Sequence, residues 1–367
     1  MKNKKRIFGL TIGLTLMSSL ALSACSDGES SESSGKGEAG GVSGEILLYD
    51  TSGGQVVEVL KKTLAKDFEE ETGVSVVDDY NEAATKFMAA AESGGEVPWS
   101  LVWFPTVNDA RTAADNGYLT PIDTSVVPVD KLVDGTYNEY GIEVGTFGMV
   151  LTWDESAYDS SPESMADLWD LDKYPGKRCF FNNPQYGWTL EAALLADGVE
   201  PDDLYPLDVD RALLKLDEIK DDIVWWTSGA QSIESFENGS CDIGILWANR
   251  AFTAKVENNF PMTISWSQGG YSNSVWAIPA NAPNGVAAQE LLKSVVTNID
   301  GQIALATEVP TPIPAQTKGI EPNDFPEEVQ PFLPVGSNVT DAILQDSEYY
   351  LENLDTVMDQ FNRWVAQ

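Results

Sequence analysis

Short apolar runs alternate with amphipathic segments along the chain, and the pattern is clearest between residues 221 and 252. Two apolar runs, residues 223–226 and 243–247, are separated by a polar turn and a segment with helical character. This pattern predicts a β-α-β unit in a buried parallel sheet, where ligands bind beyond the carboxyl ends of the strands. Both runs end in tryptophan followed by polar residues, which indicates a recognition site. Tryptophan that merely fills a core is the alternative.

The same alternation predicts an α/β organisation for most of the chain. Strands are expected at residues 45–49, 74–77, 99–104 and 176–181, with longer extended runs at 139–153 and 262–279. Helical periodicity is present at residues 55–72, 85–93, 109–116, 162–172, 190–196, 209–219, 285–298 and 340–365. We interpret the two longer extended runs as crossings between two domains. Prolines at residues 310–314 predict a rigid link.

The N-terminus has the pattern of an export signal rather than of a folded domain. Four basic residues precede an uncharged, mostly apolar segment at residues 7–21, and small residues follow before Cys25. The Leu-Ser-Ala-Cys ending resembles the lipobox of bacterial lipoproteins, which implies that Cys25 is lipidated. An uncleaved membrane anchor is the alternative. Residues 26–44 are rich in Ser, Gly and Glu, and they predict a flexible tether for a body outside the cytoplasm.

The remaining two cysteines suit an oxidising compartment. Cys179 and Cys241 each begin an apolar run that we expect to be a strand. An even pair in an exported protein indicates a disulfide, and two buried thiols are the alternative.

The formal charge of −36 becomes −40 once the four basic residues of the signal are removed. Such a negative field repels nucleic acid and attracts cationic solutes. It therefore argues against a nucleic-acid partner, although solubility or a salty habitat also explains strong acidity.

Seven motifs, in order along residues 44–334, carry a family resemblance. They are Asp50-Thr-Ser-Gly-Gly54, Phe68-Glu-Glu-Glu-Thr-Gly73, Ala114-Asp-Asn-Gly-Tyr-Leu-Thr-Pro-Ile-Asp123, Ala166-Asp-Leu-Trp-Asp170 with Tyr174-Pro-Gly-Lys177, Ala193-Leu-Leu-Ala-Asp-Gly198, Leu204-Tyr-Pro-Leu-Asp-Val-Asp-Arg211 and Trp225-Trp-Thr-Ser-Gly-Ala-Gln231. Together they resemble the extracellular solute-binding proteins of ABC importers, and most closely the spermidine/putrescine type.

The resemblance implies a type II periplasmic-binding-protein-like fold. Each of two α/β lobes would have a mostly parallel sheet flanked by helices, with hinge crossings and a ligand cleft between the lobes. We expect a signal peptide at residues 1–24, a lipidated tether at 25–43, lobe one at 44–148 plus 275–322, and lobe two at 149–274 plus 323–367. A membrane permease is the implied partner, the protein is expected to be a monomer, and no cofactor or metal is expected.

A polyamine is the first expectation for the solute, because the resembled family binds ammonium groups with carboxylates and aromatic faces. The chain departs from that pattern. Thr51 and Ser52 stand where aromatic residues are common, and Ser274 stands where the family has an aspartate. Asp50 and the Asp78-Asp79 pair are the remaining candidate carboxylates. An opine-like solute, an amino acid derivative or another small polar nitrogen compound is the alternative.

The loops expected to face the cleft supply the candidate ligand-binding residues. They are Thr51, Ser52, Gly53 and Phe104 in lobe one; Asn182, Tyr186, Trp188, Thr227, Ser228, Gln231, Trp247 and Asn249 in lobe two; and Tyr271, Asn273, Ser274 and Trp276 in the second crossing. Alternatives remain for several of them. Thr227 or Ser228 could simply cap a helix, Gly53 could serve a tight turn, and the residues of the crossing could serve strand packing.

An enzyme is the rival class, and the composition argues against it. The chain has no histidine, which removes Ser-His-Asp and Cys-His catalysis. It also has no Gly-x-Ser-x-Gly elbow and no Walker A loop. A secreted hydrolase acting through paired carboxylates and an adhesive surface protein remain as remote alternatives.

Overall fold

The computed structural model describes residues 42–53, 55–81, 83–310 and 317–367. The predicted signal peptide, nearly all of the tether, Cys25 and most of the proline-rich link lie outside these residues. The strands are β1 (Glu45–Asp50), β2 (Ser75–Tyr80), β3 (Leu101–Phe104), β4 (Leu119–Thr120), β5 (Gly141–Asp154), β6 (Arg178–Phe181), β7 (Ile223–Trp226), β8 (Ile243–Trp247), β9 (Met262–Pro279) and β10 (Ile343–Leu344).

The helices pack on both faces of these strands. They are α1 (Val56–Lys62), α2 (Leu64–Thr72), α3 (Thr85–Glu92), α4 (Val107–Asp115), α5 (Pro184–Gly187), α6 (Thr189–Ala196), α7 (Val209–Asp217), α8 (Gly229–Glu237), α9 (Ala248–Phe252), α10 (Gly285–Thr297), α11 (Ile299–Glu308), α12 (Ser337–Asp341) and α13 (Ser347–Val365).

The strands pair in the order β2-β1-β3-β9-β5-β8-β6-β7, and the short β4 and β10 pair with β9. Pairing is parallel among β1, β2 and β3, and among β6, β7 and β8. The long strands β5 and β9 run antiparallel to each other between the two parallel groups. They correspond to the extended runs that the sequence predicts as crossings.

Buried apolar residues form separate clusters around the two strand groups. Two clusters surround β1–β3 and the helices α1–α4, and two others surround β6–β8 with α6–α9 and α13. Helix α11 contributes to both groups, because Leu305 lies in a cluster of lobe one while Ala306 lies beside Phe252 and Phe332. The lobe boundaries themselves stay a prediction.

Several predicted elements differ from the structure. The helix expected at residues 55–72 divides at Thr63, whose hydroxyl donates to the carbonyl of Val59 (2.8 Å), before α2 ends at the left-handed Gly73. Only a 3₁₀ turn, Met165–Trp169, forms within 162–172. The C-terminal helix begins at Ser347 rather than near residue 340, because β10 first pairs with β9. Strand β6 lies between β7 and β8, so the β-α-β pair is not adjacent.

Cys179 and Cys241 form a disulfide in this structure, with their Cα atoms 5.8 Å apart. The bond joins β6 to the start of the segment leading into β8, and both cysteines are buried. Within the described ranges, no helix is long and apolar enough to cross a membrane. No cluster of three metal-ligating side chains occurs among those residues either.

Candidate functional site

The carboxyl ends of the two parallel strand groups point toward each other. Strand β3 is antiparallel to β9, and β8 is antiparallel to β5, so the two groups run in opposite directions along the crossings. Phe104 at the end of β3 pairs with Val275, and Trp247 at the end of β8 pairs with Met149. The loops that follow these strands therefore flank the middle of the crossings, where a ligand cleft is expected.

Side chains from both lobes meet across this region. The first turn of α4 carries Asp109, whose carboxylate interacts with the hydroxyl of Tyr186 on α5. Burial is the main cause that raises the pKa of Asp109, and it also raises the pKa of Tyr186. Two residues further along α4, Arg111 lies 3.6 Å from Glu348 on α13. These contacts join α4 to α5 and to α13, and α4 and α13 belong to different core clusters.

The loop after β1 is held by its own hydrogen bonds. The Thr51 hydroxyl donates to the carbonyl of Trp103 (2.5 Å), and Ser52 donates its amide and hydroxyl to Asp50 (2.8 and 2.6 Å). Gly53 has φ +63°, and a side chain there would collide with the ring of Tyr80. The loop therefore brings its backbone against Tyr80, at the end of β2.

Three predicted site residues are core residues in this structure. Phe104 is fully buried beside Phe87 (ring centroids 5.4 Å apart), and Trp276 is fully buried against Trp103 (5.3 Å). Trp188 is also fully buried, and its indole N–H donates to the carbonyl of Gln268 (2.9 Å). Their aromatic character serves packing here, as the core-filling alternative allowed.

The ends of β6 and β8 bring three other predicted residues together. The backbone amide of Asn182 donates to the carbonyl of Trp226 (2.9 Å), while its buried Oδ1 has no partner among the described residues. The indole N–H of Trp247 donates to the carbonyl of Tyr186 (2.8 Å). The Trp247 ring also packs against Phe181 and Trp226. Trp247 and Tyr186 therefore form one unit beside the cross-lobe contact at Asp109.

Thr227, Ser228 and Gln231 act together as a helix cap. The Ser228 side chain accepts a hydrogen bond from the Gln231 amide (3.3 Å), and the Gln231 side chain accepts from the amide and hydroxyl of Thr227 (2.8 and 3.0 Å). All three are exposed. The capping alternative thus describes their contacts in this structure.

The start of α9 carries the most unusual polar pair. The buried Oδ1 of Asn249 and the buried Nε of Arg250 both lack a hydrogen-bond partner within the described residues. The Arg250 guanidinium lies over Gly229, where any side chain would collide with it. It is also within electrostatic range of Tyr80 from lobe one. Arg250 therefore stands between the two sets of strand ends.

The crossing strands carry a polar group of their own. Asn273 accepts a hydrogen bond from the Thr146 hydroxyl (2.6 Å) and donates to Glu143 (2.6 Å). Burial raises the pKa of Glu143 to about 7, and burial together with the nearby charge of Glu143 raises the pKa of Tyr271. Ser274 is nearly buried and donates to the carbonyl of Gly145 (3.2 Å).

Sequence reasoning missed Tyr80, Asp109, Glu143 and Arg250, which the structure adds to the neighbourhood of the predicted residues. Arg250 could have been recognised from the sequence, since it is a basic residue three positions after a strand that ends in tryptophan. Asp109 and Glu143 had none, because each is one acid among the 58 of this chain.

Comparisons with known proteins agree with this architecture. A family model described as bacterial extracellular solute-binding protein matches residues 63–330. The γ-aminobutyric acid-binding protein of Pseudomonas aeruginosa is 29% identical over 332 residues, covering 88% of this chain and 92% of its own. The spermidine/putrescine-binding periplasmic protein 1 of Haemophilus influenzae is 24% identical over 353 residues, covering 90% and 94%.

A solved structure described as a γ-aminobutyric acid (GABA) receptor aligns with a TM-score of 0.78 at 29% identity. It covers 88% of this chain and 98% of the other. The expected α/β fold of the periplasmic binding-protein type is thereby confirmed.

Proposed function

The chain belongs to the bacterial extracellular solute-binding proteins and is the substrate-binding component of an ABC transporter; we propose that it captures a small nitrogen-containing solute between its lobes and delivers it to the membrane permease. Family membership places the protein outside the cytoplasm and in a non-enzymatic class. A lipid anchor at Cys25 and the tether that follows would keep the captured solute near the permease.

The opposed strand ends are the observation that carries this proposal. Asp109 and Tyr186 of different lobes form a hydrogen bond there, and Tyr80 of lobe one acts electrostatically on Arg250 of lobe two. A solute that contacts both lobes favours a closed arrangement over an open one by its difference in affinity for the two. The closed form would then be the form that the permease recognises.

Two solute classes are supported by relatives. The resemblance noted in the sequence and the Haemophilus relative favour a polyamine, and the strongly negative charge would attract one. The Pseudomonas relative favours an amino acid such as 4-aminobutyrate. Both classes share an ammonium group that aromatic rings and oxygen acceptors in the cleft can receive.

A thermal-shift screen of the chain from Ser26 onward tests the proposal. Putrescine, spermidine, 4-aminobutyrate, α-amino acids, an opine-like conjugate, a sugar and an organic acid form the panel. We expect a saturable rise in melting temperature with one nitrogen-containing class, because a ligand that binds only the folded state stabilises it. A rise with the sugar or the organic acid alone would contradict the proposed solute, and no rise at all would contradict solute capture from this panel.

A further inference from the structure

Arg250 and Arg178 are two basic side chains in lobe two with opposite surroundings. Arg178 is fully buried, and its three guanidinium nitrogens donate to the carbonyls of Leu168, Gly176 and Tyr174 at 2.5–2.7 Å. An arginine whose three guanidinium nitrogens all have hydrogen-bond acceptors is typically one that stabilises the fold. Arg250 is partly buried at the start of α9, and its enclosed Nε donates to no described residue.

The charge of Arg250 also lacks a close counter-ion. No ion pair within 4.0 Å involves Arg250 in the part of the chain that the structure describes. The exposed Glu257 and Tyr80 both act on its charge through the electrostatic field. Burial lowers the pKa of Arg250, which shows the cost of holding this cation without a partner. A charge in such a position is stabilised once an anion forms hydrogen bonds with it.

The surroundings of Arg250 fit a small zwitterion better than a simple anion. Acceptors for an amino group occur in the same lobe, since the amide oxygens of Asn182, after β6, and Asn249, after β8, are buried without a partner among the described residues. These oxygens can accept N–H groups from a solute. The site thus offers a donor of fixed geometry for a carboxylate and separate acceptors for an amino group.

Three of the carboxylates that a dication could use already have partners. Asp50 accepts from Ser52, Asp79 pairs with Lys86 (2.9 Å) and accepts from Trp99 (2.9 Å), and Asp109 accepts from Thr106 (2.6 Å). A second ammonium group would also meet the like charge of Arg250, which repels it.

We propose that Arg250 binds the carboxylate of the transported solute, so that the solute is an amino-acid-type zwitterion and not a polyamine. The inference rests on the proposed function and sharpens it. The planar guanidinium can form two parallel hydrogen bonds with a carboxylate, and this geometry discriminates against an amide or an amine. Gly229 permits the arrangement, because a side chain there would displace the guanidinium.

Calorimetric titration of the chain from Ser26 with matched probes tests the proposal. The probes are 4-aminobutyrate, its neutral amide 4-aminobutanamide and putrescine, with alanine and alaninamide as a second carboxylate–amide pair. We expect at least one carboxylate to bind roughly tenfold or more tightly than its amide and than putrescine. Equal affinity within both pairs, or preference for putrescine, would overturn the inference while solute capture itself would stand. If no probe binds, the proposed function and the inference both fail for these solutes.

Variants separate a ligand contact from a structural role. Arg250→Gln should remove the preference for carboxylate over amide, and Arg250→Lys should restore only part of it because lysine lacks the fork geometry. Arg211→Gln is the control, since Arg211 is exposed and pairs with Asp197 (2.6 Å) on another surface of lobe two. An Arg250→Gln protein that keeps the full preference would overturn the inference.

The melting temperature without solute gives a second readout that needs no ligand. Arg250→Gln removes an uncompensated charge and should leave the melting temperature unchanged or higher. Arg178→Gln should lower it, because three carbonyls would lose their charged donor. A fall with Arg250→Gln as large as that with Arg178→Gln would show that Arg250 supports the fold, and the inference would be wrong.

Discussion

Glu143 illustrates, at the residue scale, how a single side chain acquires chemistry from its neighbours. It is an ordinary glutamate in the sequence, yet the crossing strands enclose it and Asn273 donates a hydrogen bond to it. Burial disfavours the ionised form more than this hydrogen bond favours it, so the pKa of Glu143 rises to about 7. Its protonation therefore changes near neutral pH, at the point where the chain passes between the lobes.

Glu143→Gln should make stability less dependent on pH. The pKa of Glu143 is raised on folding, from 4.5 to about 7, so its contribution is fully present below pH 4.5 and is lost as the pH rises through 7. The variant keeps an acceptor for Asn273 but does not titrate. Between pH 5 and pH 7.5, we expect its melting temperature to fall less than that of the unmodified protein.

Glu327→Gln, at an exposed position, is the control for this comparison. The same pH profile for Glu143→Gln and the unmodified protein would refute the assignment of this titration to Glu143.

At the scale of elements, helices α4 and α5 belong to different lobes and meet through the contact between Asp109 and Tyr186. Thr106 caps α4 and directs its hydroxyl to Asp109, and Asn183 caps α5, which places Tyr186 against Asp109. Trp247 holds the same tyrosine through its backbone carbonyl. The position of each helix is thus fixed within its own lobe, while Asp109 and Tyr186 join the two.

Asp109→Asn and Tyr186→Phe should each speed solute dissociation about tenfold, since a hydrogen bond to a charged group contributes roughly 1.5–3 kcal/mol. The double variant should dissociate no faster than the faster single variant, because both changes remove the same contact. Stopped-flow measurement of tryptophan fluorescence provides the rates.

Tyr205→Phe is the matched control for this pair. Tyr205 donates to Glu191 (2.8 Å) inside lobe two, so its loss should lower the melting temperature but leave the dissociation rate alone. Independent, additive effects of the Asp109 and Tyr186 changes would mean that the two side chains act separately, for instance by each touching the solute.

The whole molecule combines two strand groups through paired crossings, a linking helix and a large negative charge. Helix α11 contributes apolar residues to both lobes, so a change in lobe orientation must be accommodated around it. The cross-lobe contacts at Asp109 and Arg111 are few compared with the two cores. Because each lobe has its own large core and few contacts join the lobes, we expect the lobes to move as rigid bodies about the crossings.

Small-angle scattering should therefore show a smaller radius of gyration when a saturating solute is present. The contraction should persist in Arg111→Ala, because the ion pair of Arg111 with Glu348 is exposed and such pairs contribute about 0–1 kcal/mol. Identical scattering curves with and without a tightly bound solute would contradict closure.

The sequence by itself determined the alternation of most strands and helices and the two long crossings, because burial periodicity and terminating glycines are local properties. The extent of β9 and the strands β7 and β8 followed directly from their apolar runs. The break at Thr63 and the insertion of β6 between β7 and β8 did not, since they depend on packing between distant segments.

Only the tertiary structure decided which polar residues lie together at the opposed strand ends. In the sequence, nothing distinguishes Trp188 and Trp276 from Trp247. In the structure, Trp188 and Trp276 are enclosed in cores, whereas the indole of Trp247 donates a hydrogen bond to the backbone of Tyr186, which makes the cross-lobe contact. Arg250 became a candidate because its buried Nε has no hydrogen-bond partner among the described residues. The presence or absence of a partner for a buried charge is a three-dimensional property, and no local pattern along the chain encodes it.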